Sequence, residues 1–267
     1  MSEGCVQCVV SGGVAVITLD RPEKRNAVTG EMISALGAAY SACDIDNSVR
    51  VVVLTGAGSA FCAGADLSPG RSPFGTVIGD GFQSSPVQPR AWEVRKPVIA
   101  AINGAAIGIG LSIALQADIR IVAADATLAV LQTRRGVVPD GQSHWVLPRL
   151  VGAARAAELL IAGRSITGTQ AAAWGMANEA VAADAVLDVA LEWAGDIAAN
   201  VSPLSAAMSK RIMWRGLAEG PDGVDTMERD AHIELMGRPD ALEGGRAFGE
   251  RRAPVWTSRV PADWPFI

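Results

Sequence analysis

Two backbone turns built from glycine and alanine carry the chemical interest of this chain, Ala63-Gly64-Ala65 and Gly108-Ile109-Gly110. Residues this small let a ligand approach the main chain, so that backbone N–H groups can themselves act as donors. Two such donors converging on one point make an oxyanion hole, which holds charge developing on a carbonyl oxygen. Losing one donor in such a site costs about 2.7–4 kcal/mol of transition-state stabilisation. Taken singly, either turn is equally what tight helix–strand packing demands. Gly108-Ile109-Gly110 is not a dinucleotide fingerprint, because the third glycine of that pattern would fall at Ile113 and no acid follows at the required distance.

Proton carriers near these turns are few. Asp140 sits in Pro139-Asp140-Gly141, a tripeptide that reads as a turn or a helix N-cap. His144, four residues on, would share a helical face with Asp140 if the helix began early enough, and His232 lies far along the chain and is unrelated. Cys5 and Cys8 match C-x-x-C, but no second pair or histidine cluster accompanies them. On a strand, an offset of three turns their thiols to opposite faces, so no metal site is expected.

The elements that must position these residues alternate. Residues 5–10 and 14–19 predict two strands around Ser11-Gly12-Gly13. Thr29 predicts a helix cap, with Met32, Leu36, Tyr40 and Cys43 on one face of the helix that follows. Val49 to Leu54 reads as a strand buried on both faces. The alternation favours an α/β fold with right-handed crossovers. Residues 68–90, rich in Gly, Pro and Ser, predict a mobile cover over Ala63 to Asp66. Beyond, Asp184 is expected to cap a helix presenting Val186, Ala190, Trp193 and Ile197. Ser202-Pro203 opens another, and Asp240 with Glu243 predicts a capping box for the last.

Composition closes off other classes. With 267 residues, 49% of them apolar, the chain can bury a full core. A net charge of −5 and the lack of a Lys/Arg run argue against a nucleic-acid surface. No stretch approaches the roughly 18 apolar residues of a membrane span. Met1-Ser2-Glu3-Gly4 lacks the basic and apolar regions of a signal peptide. The four cysteines show no disulfide framework. A cytoplasmic protein is expected.

Taken together, several segments resemble the crotonase (enoyl-CoA hydratase/isomerase) superfamily over about residues 10–185. They are Leu19-Asp-Arg-Pro-Glu-Lys-Arg-Asn26, Phe61-Cys-Ala-Gly-Ala-Asp-Leu67, Lys96 to Arg120, Gly136 to Gly152 and Ile166 to Glu179. The resemblance implies a spiral of ββα repeats and a helical C-terminal trimerisation region. It divides the chain into an acyl-CoA-binding and catalytic core (1–200) and a helical region for oligomerisation (201–267). It makes the N–H groups of Ala65 and Ile109 the oxyanion donors. Around the coenzyme A thioester it places Lys24, Arg25, Ala27, Ala63, Gly64, Asp66, Leu67, Gly108 and, with less support, Trp145. Arg251 or Arg252 would reach the nucleotide from a neighbouring subunit, and Asp118 would anchor structure. Trp92 and Trp174 fill either acyl tunnel or core. The implied assembly is a homotrimer or dimer of trimers, with no tightly bound cofactor, no metal, and coenzyme A only as part of the substrate.

One departure matters most. The two glutamates that a hydratase of this family uses fall at Ser112 and Gln132, and neither is a carboxylate acid or base near neutral pH. The Gly-Gly that usually follows the Pro is Gln142-Ser143 here. Asp140 matches the position at which some isomerases of the family carry their acid. Shifting a double bond needs one base, and a carboxyl walled by Val137, Val138, Trp145 and Val146 would have a suitably raised pKa. The resemblance therefore implies an enoyl-CoA isomerase acting through a thioester enolate. The alternatives are an atypical hydratase using Asp140 or His144, and an acyl-CoA-binding protein without catalysis.

Overall fold

The computed structural model describes residues 4–68, 83–260 and 264. β1 (Val6–Ser11) and β2 (Val14–Leu19) form the expected hairpin, turned by Gly12 and Gly13 at φ of 57° and 84°. α1 (Gly30–Ile45) is capped by Thr29, whose hydroxyl accepts from Met32 N, and Met32, Leu36, Tyr40 and Cys43 are all buried.

Three strand pairs then follow one another: β3 (Val51–Gly56) with β4 (Ala60–Cys62), β5 (Val98–Ile102) with β6 (Ala105–Ile107), and β7 (Ile119–Ala123) with β8 (Thr127–Ala129). The first member of each pair enters one sheet and the second enters another. α2 (Ile109–Leu115) follows β6 and α3 (Ser143–Leu160) follows β8, which gives the expected spiral of ββα units. β9 (Ser165–Thr167) completes a four-stranded sheet of order β4-β6-β8-β9. After α4 (Gly168–Ala173), β10 (Glu179–Val181) completes a six-stranded sheet of order β1-β2-β3-β5-β7-β10, parallel throughout except for β1. Every residue of β3 and β5 is buried, as continuous apolar runs in a covered parallel sheet require. β3 itself starts at Val51, two residues later than the apolar run suggested.

α5 (Val186–Asn200) lies on this sheet, but not as expected. Ala185 occupies its N-cap, without a side-chain bond, so Asp184 is not the cap. Its buried face is Val186, Ala190, Ala194 and Ala198, while Trp193 is 39% exposed. Alanines spaced four apart let the helix sit close on the strands, where an indole would hold it away.

α6 (Pro203–Gly216), α7 (Pro221–Leu235) and α8 (Pro239–Glu250) follow. α6 and α7 share with Val260 a small apolar cluster of their own, built on Leu204, Ala207, Met208, Ala231 and Val260. The expected capping box at Asp240 is absent, because α8 begins at Pro239 with Arg238 as N-cap. The Asp240 carboxylate instead accepts from Thr257 N and Oγ1, Ser258 N and Ser202 Oγ, tying down the chain after α8. Four local donors hold it better there than one orphan amide of a helix end would.

Asp118 anchors structure, as the resemblance implied. Its Oδ2 accepts from Val98 N at 2.7 Å and Lys210 Nζ at 2.7 Å, and its Oδ1 accepts from Trp214 Nε1 at 2.6 Å. Lys210 also donates to the Ala91 and Lys96 carbonyls, each at 2.8 Å. Burial pushes the Lys210 ammonium below its usual pKa, and the Asp118 charge pulls it partly back. Removing one member of a buried pair typically costs about 3–5 kcal/mol. Asp118→Ala is therefore expected to lose about that much in urea unfolding. Lys210→Met should lose less, because Asp118 keeps two of its three donors.

Candidate active site

β4 and β6 run parallel, with Ala60 opposite Ala105 and Cys62 opposite Ala106, so the turns after them emerge side by side. Their backbones touch. A Cβ on Gly110 would lie 2.5 Å from the Cys62 carbonyl oxygen, and one on Gly64 would lie 3.0 Å from the Ile107 carbonyl oxygen. Gly64 and Gly108 also take φ of 100° and 55°, which side chains disfavour.

The hydrogen bonding of each turn leaves one N–H open. Val28 N donates to Gly64 O at 2.8 Å, and Asp66 N donates to Val28 O at 3.0 Å. In this parallel bridge the residues flanking Ala65 make the bonds, so the Ala65 N–H faces the other way. Gly108 N donates to Ala129 O at 2.8 Å, locking the second turn to β8. Ile109 follows as the first residue of α2, where an N–H has no carbonyl one turn back. The N–H groups of Ala65 and Ile109 carry no bond among the described residues, and these are the donors the sequence suggested.

The segment 21–28 backs the first turn. Asn26, fully buried, donates to Ala57 O and Ala60 O, and Ala63 N donates to Arg25 O at 2.9 Å. Arg21 bridges Ala27 O and Asp66 Oδ2. The Asp66 carboxyl is held down to about 2, first by the Ser68 hydroxyl, then by the Ser68 N–H and by Arg21. Asp66 thus serves as a fixed anion that holds the turn. Lys24 and Arg25 are exposed beside it, Ala27 and Ala63 are half-buried, and Leu67 is exposed. Arg252 is ion-paired to Glu243 and Glu250 and so is not a free cation for a nucleotide, whereas Arg251 is exposed at the end of α8.

Asp140 lies in the turn before α3. Its carbonyl accepts from Ser143 N and Ser143 Oγ, and Gln142, not Asp140, is the N-cap. The Asp140 side chain turns inward instead. Oδ1 accepts from Ser112 Oγ at 3.0 Å and from Gln132 Nε2 at 3.2 Å. Oδ2 has no side-chain donor among the described residues. Burial raises the carboxyl above its ordinary pKa, while the bonds from Ser112, from its own backbone N–H and from Gln132 pull the other way without prevailing. No charged side chain contributes. Ser112 and Gln132, read from sequence only as missing acids, are thus the groups that hold the remaining one. The signal was their place in the family pattern, but that they converge on Asp140 follows from the fold alone.

Other expectations are corrected. Val137 and Val138 are 38% and 77% exposed, so these two do not wall the carboxyl, whereas Val146 is buried in the core. Gly141, at φ 59°, packs on the serine that holds the carboxyl: a Cβ there would come 2.6 Å from Ser112 Cβ. Trp145 packs with Trp92 and Trp214, their ring centroids 5.8 and 6.1 Å away, beside a cavity of about 680 Å³ between α3 and α6. Trp174 lies under Arg155, away from that cluster. His144 is exposed, because α3 begins only at Ser143 and Asp140 is not on it. Of the expected cover, residues 69–82 lie outside the described residues. Its far end rests on the Asp140 turn, where Ser84 O accepts from Gly141 N at 2.7 Å and Ser85 Oγ accepts from Gln116.

Comparison with known proteins shows the family. The family described as enoyl-CoA hydratase/isomerase matches residues 10–259. A crystal structure from Mycobacterium abscessus, described as a probable enoyl-CoA hydratase/isomerase, is 48% identical. It superimposes with a TM-score of 0.91 and covers 95% of this chain and 99% of that one. The carnitinyl-CoA dehydratase of Proteus mirabilis is 37% identical over 257 residues, 93% of this chain and 96% of the relative. The mevalonyl-coenzyme A hydratase of Beauveria bassiana is 35% identical over 263 residues, 91% of each chain. The last two names weigh against the doubt about hydration drawn from Ser112 and Gln132. With the spiral fold and the paired turns, these matches place the chain in the enoyl-CoA hydratase/isomerase family of the crotonase superfamily.

Proposed function

We propose that this acyl-CoA-processing enzyme moves the double bond of an enoyl-CoA thioester, with Asp140 as its one acid–base group. The observation that carries this reading is the Asp140 carboxyl itself, one oxygen loaded by two neutral side-chain donors and the other with none. The thioester oxygen rests on the N–H groups of Ala65 and Ile109. Asp140 Oδ2 takes a proton from C2, the electron pair spreads onto the thioester oxygen, and the same carboxyl returns the proton at C4. A raised pKa suits a group that must both take and give. Ala27, Ala63, Gly64, Leu67 and Gly108 line the thioester arm, Asp66 fixes the turn, and Lys24 and Arg25 face the phosphates of coenzyme A. The reaction needs no cofactor beyond coenzyme A in the substrate.

Hydration is the second reading, favoured by the names of the relatives. Residues 201–267 suit assembly into a trimer or dimer of trimers. Their helices leave Phe248 88%, Met236 70% and Ile233 69% exposed, more apolar surface than a lone subunit normally leaves in water. A cytoplasmic setting fits the free thiols.

Asp140→Asn should lower kcat on a 3-enoyl-CoA by at least about 10²-fold while leaving acyl-CoA affinity nearly unchanged. Affinity without turnover in the wild type would instead indicate a binding protein. An ionised Asp140 is disfavoured by its site, so stability falls as pH rises from the ordinary carboxylate pKa to the raised one, and the whole cost is present above it. The Asn variant should then melt no lower than wild type at pH 8. Ser112→Ala removes a bond that favours the ionised form. It should therefore move the acid limb of the pH–rate profile to higher pH. A limb moved to lower pH would exclude Asp140 as the base.

A further inference from the structure

The chemistry above uses none of the four cysteines, and the structure sorts them by their surroundings. Cys62 is buried beneath the first turn, where its thiol donates to Gly64 O at 3.9 Å. Cys5, just before β1, is half-buried against the core. Cys8 and Cys43, far apart in the sequence, meet: their sulfurs lie 3.9 Å from each other. Cys8 stands on β1, the edge strand of the six-stranded sheet, opposite Ile17 of β2. Cys43 stands in the last turn of α1, which packs on β1 and β2. A disulfide is about 2.0 Å long, so the sulfurs have about 2 Å to close, a distance that rotation of the two side chains covers.

The two thiols differ in access. Cys8 is exposed and Cys43 is only 2% exposed, so a dissolved oxidant meets Cys8 first. Cys43 is also held as a thiol, its pKa pushed up to about 12 by burial first, then by Cys8 and Asp46, against the pull of Lys96. A thiol reacts with oxidants far less readily than a thiolate, so Cys43 does not compete for the first step. Its place is the second. A sulfenic acid with another cysteine sulfur within reach condenses with it to a disulfide.

We propose that Cys8 and Cys43 form a reversible oxidation site for hydroperoxides, at which a disulfide clamps the edge strand β1 to α1. The Cys8 thiolate attacks one oxygen of hydrogen peroxide, the O–O bond breaks, and the other oxygen leaves as hydroxide. That hydroxide takes up the proton Cys8 had released. Cys8 is oxidised by two electrons to a sulfenic acid, and the peroxide is reduced by the same two. The Cys43 sulfur then attacks the Cys8 sulfur, the S–O bond breaks, and the leaving hydroxide takes the Cys43 proton as water. A dithiol reverses the bond by exchange at Cys8, the sulfur that solvent reaches. The clamp acts where the sheet is open: Val9 and Val10 beside Cys8 are 63% and 43% exposed, and an open edge strand is a template for wrong pairing. α1 in turn begins two residues after Val28, which bridges the first turn at Ala65.

The test treats the folded, fully reduced protein with a small excess of hydrogen peroxide, then alkylates it in denaturant and maps the peptides by mass spectrometry. The expected product is lighter by two hydrogens, with the Cys8 and Cys43 peptides joined and Cys5 and Cys62 alkylated. Dithiothreitol should restore all four thiols. Cys43→Ser leaves Cys8 without a resolving sulfur, so a dimedone adduct at Cys8 should rise at least about tenfold over wild type. Should that variant not fold, Cys43→Ala serves the same comparison. The crosslinked protein should melt higher than the reduced one, because the bond mainly restricts the unfolded chain. Unreacted thiols, Cys8 paired with Cys5 or with a second copy, sulfinic acid without a crosslink, or equal dimedone labelling of wild type and variant would each overturn the site. A crosslinked form that melts no higher would overturn the clamp.

Discussion

The close contact between Gly110 and Cys62 governs the rest of the site. Strands β4 and β6 run side by side, and the chain leaves each of them into a turn that must lie against its neighbour. No side chain fits between those turns, since even a Cβ on Gly110 would penetrate the Cys62 carbonyl and side chain. With the two backbones this close, the turns that carry the N–H groups of Ala65 and Ile109 lie against each other. The bonds that are spent decide which groups remain: Val28 and Ala129 use the neighbours of Ala65 and Ile109. The remote residues Asn26 and Arg21 then matter because they stop the first turn from drifting off the second.

The second constraint is a buried carboxyl with no cation beside it. An arginine or lysine near Asp140 would fix its position equally well, but would also favour the charged form and weaken it as a base. Neutral donors avoid this. Ser112 and Gln132 orient the carboxyl through one oxygen while burial outweighs their pull on its pKa. Loading Oδ1 also sets direction, because it leaves Oδ2 without a side-chain donor among the described residues. The exchange of two acidic positions for a hydroxyl and an amide thus does more than remove acids. The hydroxyl and the amide hold the one carboxyl in place.

Much of the scaffold is legible in the sequence because it depends on local periodicity. The hairpin around Gly12 and Gly13, the Thr29 cap and the buried face from Met32 to Cys43 all follow from spacing. The paired turns are legible because glycine marks positions where backbone must approach backbone. What is not legible is convergence. Ser112, Gln132 and Asp140 come from α2, a turn after β8, and the entry to α3, and nothing in their spacing says that they meet. The valines after Gly136 read as apolar walls, yet hydropathy cannot tell which face of a turn looks inward. The cap signature of Asp240 misleads for a related reason. It is local, but the partners Thr257 and Ser258 lie beyond the helix and outbid the local role.

The C-terminal helices are connected to the Asp140 turn by a traceable series of contacts. Asp118, at the foot of β7, takes Lys210 and Trp214 of α6, which sets where that helix lies. The Trp214 ring packs on Trp145 with centroids 6.1 Å apart, and Trp145 stands in the first turn of α3. That same first turn holds the Asp140 carbonyl through Ser143 N and Ser143 Oγ. A shift of α6 therefore reaches the start of α3 through stacked indoles, and the start of α3 carries the carboxyl. Close-packed aromatic contacts pass on such a shift because they resist compression. The buried ion pair at Asp118, far in sequence from any reacting group, is in this way part of what aims Asp140.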